Sequence, residues 1–239
     1  MPEAEAAHLR DSYEQATVIL EYGSGGSTEL AAKMPGKLII SVESDRRWAR
    51  EQRQKIMAEN TLSQVIVQHI DIGPTGAWGR AIDDRDWRNY HRYPNAVWEA
   101  PFFRHPDVIL IDGRFRTACL MTALLRITRP VTVLFDDYLD RPKYQLVEKI
   151  IQPQQLIGRM AEFVIEPGQV QTSDMGFIIM QFFQATYAGA GLKDYQISSD
   201  DEASLKRIQS LKKVEKSIQQ SFNRPLKKSG AAHYIGKMD

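Results

Sequence analysis

The sequence predicts an α/β fold: a mostly parallel sheet with an antiparallel strand at its C-terminal end and helices on both faces. Three observations carry this. Short runs rich in Val, Ile and Leu alternate with helical patterns, as expected when every strand is buried on both faces. Acidic residues close successive runs, and the last runs are separated by Pro, Gly and Ser rather than by another helix. With 239 residues, 43% of them hydrophobic, the chain can bury one substantial core.

In order along the chain, Glu3–Gln15 reads as a helix packed beside the first strand. Strands follow at residues 17–22, 37–43, 64–70, 107–112 and 131–136, with helices filling most of the gaps. A helix is expected near residues 142–151, and residues 161–165 and 176–183 are expected as a final hairpin-like pair. Two segments stand outside this alternation: an aromatic-rich insert, residues 73–105, and a basic tail. The predicted boundary separates a domain of residues 1–198 from a tail of residues 199–239. In the tail, Ser199 and Glu202 can form a capping box. Leu205, Ile208, Leu211, Val214, Ile218 and Phe222 then recur every three or four residues, as in one amphipathic helix.

Charge and cysteine content narrow the function classes. Lys and Arg number 31 against 30 acidic residues, so bulk charge gives no reason to expect nucleic-acid or membrane binding. From Ala203 onward nine basic residues face two acidic ones, a local excess of about +7. The single cysteine, Cys119, excludes an intrachain disulfide or a cysteine-built metal site, and reads as a small buried helix residue. No apolar run reaches the roughly 20 residues of a membrane span, and no secretory signal is apparent, so the expectation is a cytoplasmic protein.

The first strand runs into Gly23-Ser24-Gly25-Gly26-Ser27-Thr28 and then a helical stretch. Glycines there let backbone approach a ligand closely, and a helix's first turn offers free N–H groups. Glu21 sits at the end of that otherwise apolar strand. Glu43 ends the second, about 20 residues after the loop, where a carboxylate can accept from both ribose hydroxyls. Asp71 closes the third, where an adenine amino group would lie. Ligands of open α/β sheets bind along that edge. A dinucleotide fingerprint would need glycine at Thr28, and no Gly-Lys-Ser or Gly-Lys-Thr ending marks a triphosphate site.

Over about residues 16–183 the chain resembles the class I S-adenosylmethionine-dependent methyltransferases and their Rossmann-like sheet. Their first motif, an acidic residue followed by Gly-x-Gly-x-Gly, reads here Glu21-Tyr22-Gly23-Ser24-Gly25-Gly26-Ser27, with Ser27 replacing the third glycine. The resemblance implies that Glu21 and the Gly23 to Gly25 backbone hold the methionine end of the cofactor. It implies that Glu43 holds the ribose and Asp71 the adenine, with Ser44 and Ile72 flanking the adenosine. Tyr22, Ser24, Ser27, Thr28 and Asp112 complete the expected cofactor contacts.

The fourth strand ends in Asp112-Gly113-Arg114-Phe115-Arg116 and the fifth in Phe135-Asp136-Asp137-Tyr138. Three carboxylates so placed repel unless a divalent metal or an arginine lies among them; Arg114 and Arg116 are the arginines at hand. The layout is partly similar to catechol and caffeoyl-coenzyme A O-methyltransferases, which implies a magnesium ion on Asp112, Asp136 and Asp137. Their lysine three residues after the first aspartate is Phe115 here. Without a metal, Asp112 or Asp137 serves as general base, and Arg114 or Arg116 fixes an anionic substrate or simply caps the sheet edge.

In the insert, Trp78, Trp87, Tyr90, Tyr93 and Trp98 either wall a substrate lid, with Arg88 or Arg92 meeting an anion, or anchor the insert as a satellite core. His91 and His105 read as surface or capping residues. The tail helix is expected to pack on its own domain or a second subunit, with an acidic partner or a membrane surface as alternatives. The leading expectation is a methyltransferase acting on an oxygen or nitrogen of a small molecule. The rival is a scaffold that keeps the cofactor fold and binds a partner through insert and tail. Nucleic acid is a lesser expectation, since Ile111-Asp112-Gly113-Arg114 replaces the Asn-Pro-Pro-Tyr type signature of amino-group DNA enzymes.

Overall fold

A computed structural model describes residues 1–188 together with Ser210, Lys213 and Lys216. The chain divides into Met1–Gln196 and Ile197–Asp239, and the architecture below is that of the first unit. The expected tail helix lies outside the described residues, apart from those three positions, which are helical.

The strands are β1 Val18–Tyr22, β2 Leu38–Glu43, β3 Gln64–His69, β4 Val108–Ile111, β5 Val131–Phe135, β6 Gln155–Ile157 and β7 Met160–Ile165. They form one sheet in the order β3-β2-β1-β4-β5-β7-β6. The first five are parallel, and β7 runs antiparallel to both β5 and β6. Helices α1 Glu3–Gln15, α2 Gly26–Ala32 and α3 Arg46–Ala58 accompany the first half, with Asp45 capping α3 through Trp48 N–H at 2.9 Å. In the insert lie α4 Trp87–Tyr90 and α5 Arg92–Asn95; then come α6 Arg116–Arg126, α7 Pro142–Gln145 and α8 Met175–Gln181. None of the described helices is long and apolar enough to cross a membrane.

Each face of the sheet has its own core. Leu9 and Tyr13 of α1 and Ala31 of α2 pack with Ile19, Ile39 and Leu110 on one face. Residues of α6, α8 and the insert pack with Leu20, Ile40, Ile109 and Val133 on the other. Because β1 pairs with β2 on one side and β4 on the other, the connections diverge there and leave a crevice at the carboxyl ends. Register sets Tyr22 beside both Val42 and Ile111, which brings the Gly23 loop, Glu43 and Asp112 to one edge.

The C-terminal part differs from expectation. Residues 176–183 are not a strand: Met175–Gln181 is α8, and β7 pairs instead with β6. Gln171 and Asp174 form a reciprocal cap just before α8. Ile178 and Gln181, three apart, are buried while Ile179 and Met180 are exposed. A short apolar run does not distinguish this helical period from a buried strand. Residues 142–151 form α7 and a 3-10 turn, Leu146–Lys149, rather than one helix. Cys119 is fully buried in α6, where burial pushes its thiol up and leaves it inert.

Candidate active site

The loop after β1 is shaped from below. Gly23 has φ 108°, and its N–H donates to Val42 O at 2.8 Å. A Cβ there would lie 2.8 Å from Gly113 N and 2.9 Å from its Cα, so the loops after β1 and β4 meet backbone to backbone. Glu21 is fully enclosed. It accepts from Tyr13 Oη at 2.7 Å and Thr28 Oγ1 at 2.5 Å, and Thr28 Oγ1 in turn accepts from Gly25 N at 3.0 Å. Burial raises the Glu21 pKa, and the Thr28 and Tyr13 hydroxyls oppose that rise. Glu21 and Thr28 thus hold the loop's shape. Tyr22 faces the insert, donating to Pro94 O at 2.7 Å and accepting from Trp98 Nε1 at 2.7 Å. The free surface of the loop is Ser24, Gly25, Gly26 and half-buried Ser27; a Cβ at Gly25 or Gly26 would meet nothing within 4 Å.

Glu43 is 7% exposed. Its Oε1 accepts from Ser44 N at 2.7 Å and Asp45 N at 2.8 Å, while Oε2 has only longer contacts from Ser24 N, 3.3 Å, and Ser24 Oγ, 3.1 Å. Burial raises its pKa against these N–H donors. Oε2 is therefore the oxygen that an incoming hydroxyl can claim from Ser24. The insert presses on this corner: Ser44 Oγ donates to Gly79 O at 2.8 Å, and a Cβ on Gly79, φ 65°, would reach 2.5 Å from that Oγ. Beside Gly79, Trp78 takes a left-handed φ of 63° and is 81% exposed. Asp71 is exposed and accepts from Gly73 N at 2.9 Å, and Ile72 is fully buried.

Asp112, Asp136 and Asp137 do converge, with one carboxylate oxygen of each within 4.8 Å of the others. Three arginines lie among them. Arg116, almost fully buried, donates to Gly113 O, Asp136 O and Asp112 O, and pairs with Asp112 Oδ1 at 2.9 Å and Asp137 Oδ2 at 3.3 Å. Arg159 pairs with Asp136 Oδ2 at 3.2 Å and Asp137 Oδ1 at 3.3 Å, and Arg141 with Asp137 Oδ2 at 3.4 Å. The expectation that Arg116 fixes a substrate is corrected, because its donors are spent on the ends of β4 and β5. Asp112 is the open member, its side chain 42% exposed. Desolvation in the cleft, reinforced by Asp136 and Asp137 and opposed by Arg116, pushes its pKa up to about 6. Arg141 and Arg159 were not legible as site residues. Arg159 lies in the β6–β7 turn, a strand pair that the sequence did not reveal.

Arg114 stands apart from these pairs. Its N–H donates to Tyr93 Oη at 3.4 Å, and Tyr93 Oη donates to Val42 O at 3.3 Å, so an insert tyrosine ties the end of β2 to the start of the β4 loop. The insert's aromatics divide between the two expected roles. Tyr90, Tyr93 and Trp98 are buried as a core, whereas Trp87 is half-exposed. With Arg88 stacked over it at 5.1 Å, Trp87 lines a groove of about 420 Å³ together with Tyr90, Phe183 and Tyr187. His91 borders that groove, and His105 accepts from Thr128 N at 2.9 Å, a capping role.

No protein-family model and no curated protein sequence matches the chain. Among solved structures it is similar to a methyltransferase-like protein from Silicibacter pomeroyi. The two are 48% identical over 76% of this chain and 95% of that one, with a TM-score of 0.73. A methyltransferase from Geobacter sulfurreducens is 9% identical over 70% of this chain and 80% of that one, at a TM-score of 0.45, too distant to inform the site.

Proposed function

The chain belongs to the class I S-adenosylmethionine-dependent methyltransferases, and from that premise we propose that it methylates an oxygen or nitrogen of a small molecule beside Asp112. The observation that carries this reading is the partly exposed Asp112 carboxyl at the same edge as the open Gly25 loop and the Glu43 corner. Bound on that edge, the cofactor supplies an electrophilic methyl group on a sulfonium that departs as a neutral thioether. The chain's residues then need only to align two reactants and take one proton.

Glu43 Oε2 accepts a ribose hydroxyl in place of Ser24, and the bare loop at Gly25 lets the ligand approach backbone closely. Asp112 takes the acceptor's proton while Arg116 holds the carboxylate in place. Asp137, 17% exposed with both oxygens engaged by arginines, is less able to do so. The acid cluster does not fit a magnesium ion: Arg116, Arg141 and Arg159 already balance its three carboxylates, and both Asp136 oxygens are bonded to Arg159.

Supplying methyl-labelled S-adenosylmethionine with a protein-free, RNA-free small-molecule extract tests the acceptor class. Label is expected in the small-molecule fraction, at a rate that EDTA or added magnesium leaves within twofold. Transfer only to RNA or protein, supplied separately, overturns the acceptor class. A tenfold loss in EDTA restored by magnesium overturns the arginine-paired reading of the acid cluster.

A further inference from the structure

Arg80 and Arg114 hold the feature of the cleft that methyl transfer leaves unexplained. Among the described residues neither guanidinium makes a hydrogen bond or an ion pair, and Arg80 Nε is buried without any partner. Both are half-buried. A guanidinium withdrawn from water with no acceptor is costly, and two such groups near one another cost more. Burial, then the charges of Arg116 and Arg80, hold the Arg114 pKa below its ordinary value.

Both are carried on fixed backbone at the edge already described. Arg80 follows Gly79, locked onto Ser44, and its own N–H and carbonyl close the turn with Ala77 and Gly76. Arg114 follows Gly113, packed against Gly23, and its N–H is held by Tyr93. Of the acids at this edge, Glu43 has its Oε1 engaged by the N–H groups of Ser44 and Asp45, and Asp112 is paired with Arg116. The cluster of Asp112, Asp136 and Asp137 is paired with three other arginines, so among the described residues neither of these two guanidinium groups has an ion-pair partner.

We propose that Arg80 and Arg114 form a clamp for an oxyanion of the acceptor, so that the small molecule methylated carries a phosphate or carboxylate group. The assignment of this anion to the acceptor rests on the methyl-transfer reading above. Forked guanidinium donors suit either group, and Arg114 lies two residues after Asp112, so an anion held there presents the rest of the acceptor to the base.

Calorimetry on the full chain with inorganic phosphate, with acetate, and separately with S-adenosylhomocysteine tests the clamp. Phosphate or acetate is expected to bind, the tighter of the two indicating which group the acceptor bears. Arg80→Gln and Arg114→Gln are each expected to weaken that binding at least tenfold, with Arg80→Lys and Arg114→Lys intermediate, and S-adenosylhomocysteine affinity is expected to stay within twofold. The ligand-free Tm of the Gln variants should equal or exceed that of the parent, because an unpaired charge is removed. Equal anion affinity in the parent and the double Gln variant overturns the clamp. A tenfold loss of S-adenosylhomocysteine affinity in either single variant overturns it too, since the arginines would then serve the cofactor's carboxylate. Phosphate binding by a protein that takes no S-adenosylhomocysteine supports the anion site and overturns the methyl-transfer reading.

Discussion

Gly23→Ala is expected to lower the melting temperature by roughly 6 to 12 °C and to abolish binding of S-adenosylhomocysteine. A left-handed φ costs a non-glycine residue about 1–2 kcal/mol, and forcing a methyl group into a packed contact about 1–3 kcal/mol more. Here the contact is the backbone of Gly113, which has no flexible end to yield. A total of roughly 3 kcal/mol in a domain of this size corresponds to that fall in melting temperature. Gly25→Ala separates ligand contact from folding. Its φ of 170° is open to any residue, and its Cβ would meet nothing within 4 Å. The melting temperature should therefore hold, while affinity drops at least tenfold because the methyl occupies the space a ligand takes above the loop. Differential scanning calorimetry paired with titration calorimetry reads both. A Gly25→Ala protein that binds as tightly as the parent would place the ligand elsewhere.

Asp112→Asn should cut turnover at least a hundredfold, the usual scale for losing a positioned base, while leaving S-adenosylhomocysteine affinity within a few fold. In the parent, the base must be ionised, so the rate should rise as pH increases through about 6 and level off above. Stability runs the other way. The folded pKa is raised from the ordinary value of 3.8, so folding disfavours the ionised form, and the associated stability is lost as pH rises through about 6. Asn, which cannot ionise, should therefore leave the neutral-pH melting temperature unchanged or higher. A pH–rate profile whose acid limb survives in Asp112→Asn would assign the base elsewhere.

The parallel half of the fold was legible because each strand there is buried on both faces and bounded by its own helix. The structure ends the first five strands within a residue or two of the expected positions. The last part was not. Met175–Gln181 carries the same apolar residues a strand would, and β6 is three residues long with Leu156 half-exposed, too short and too polar to announce itself. Losing that hairpin also hid Arg159, whose partners Asp136 and Asp137 lie more than twenty residues away in sequence.

At the site, residue types were legible but side-chain direction was not. Glu21 and Glu43 both end strands and both follow the family pattern. Yet Tyr13 and Thr28 close over the first, while the second has one oxygen held only by the longer contacts of Ser24. Nothing in the local sequence distinguishes them, because Tyr13 approaches from a helix preceding the strand. Arg114 and Arg116 differ by two positions and have opposite fates: Arg116 reaches back to the carbonyls at the ends of β4 and β5, and the Arg114 guanidinium has no hydrogen-bond or ion-pair partner among the described residues. Arg80 was not legible because its charge acts on Arg114, more than thirty residues away in sequence.

Titration calorimetry of S-adenosylhomocysteine into the full chain, with Glu43→Ala alongside, tests the central claim most directly. The account predicts one site per chain, and a loss of at least tenfold in the variant as the ribose hydroxyl loses Oε2. No heat with the parent protein, or equal affinity in Glu43→Ala, would contradict it.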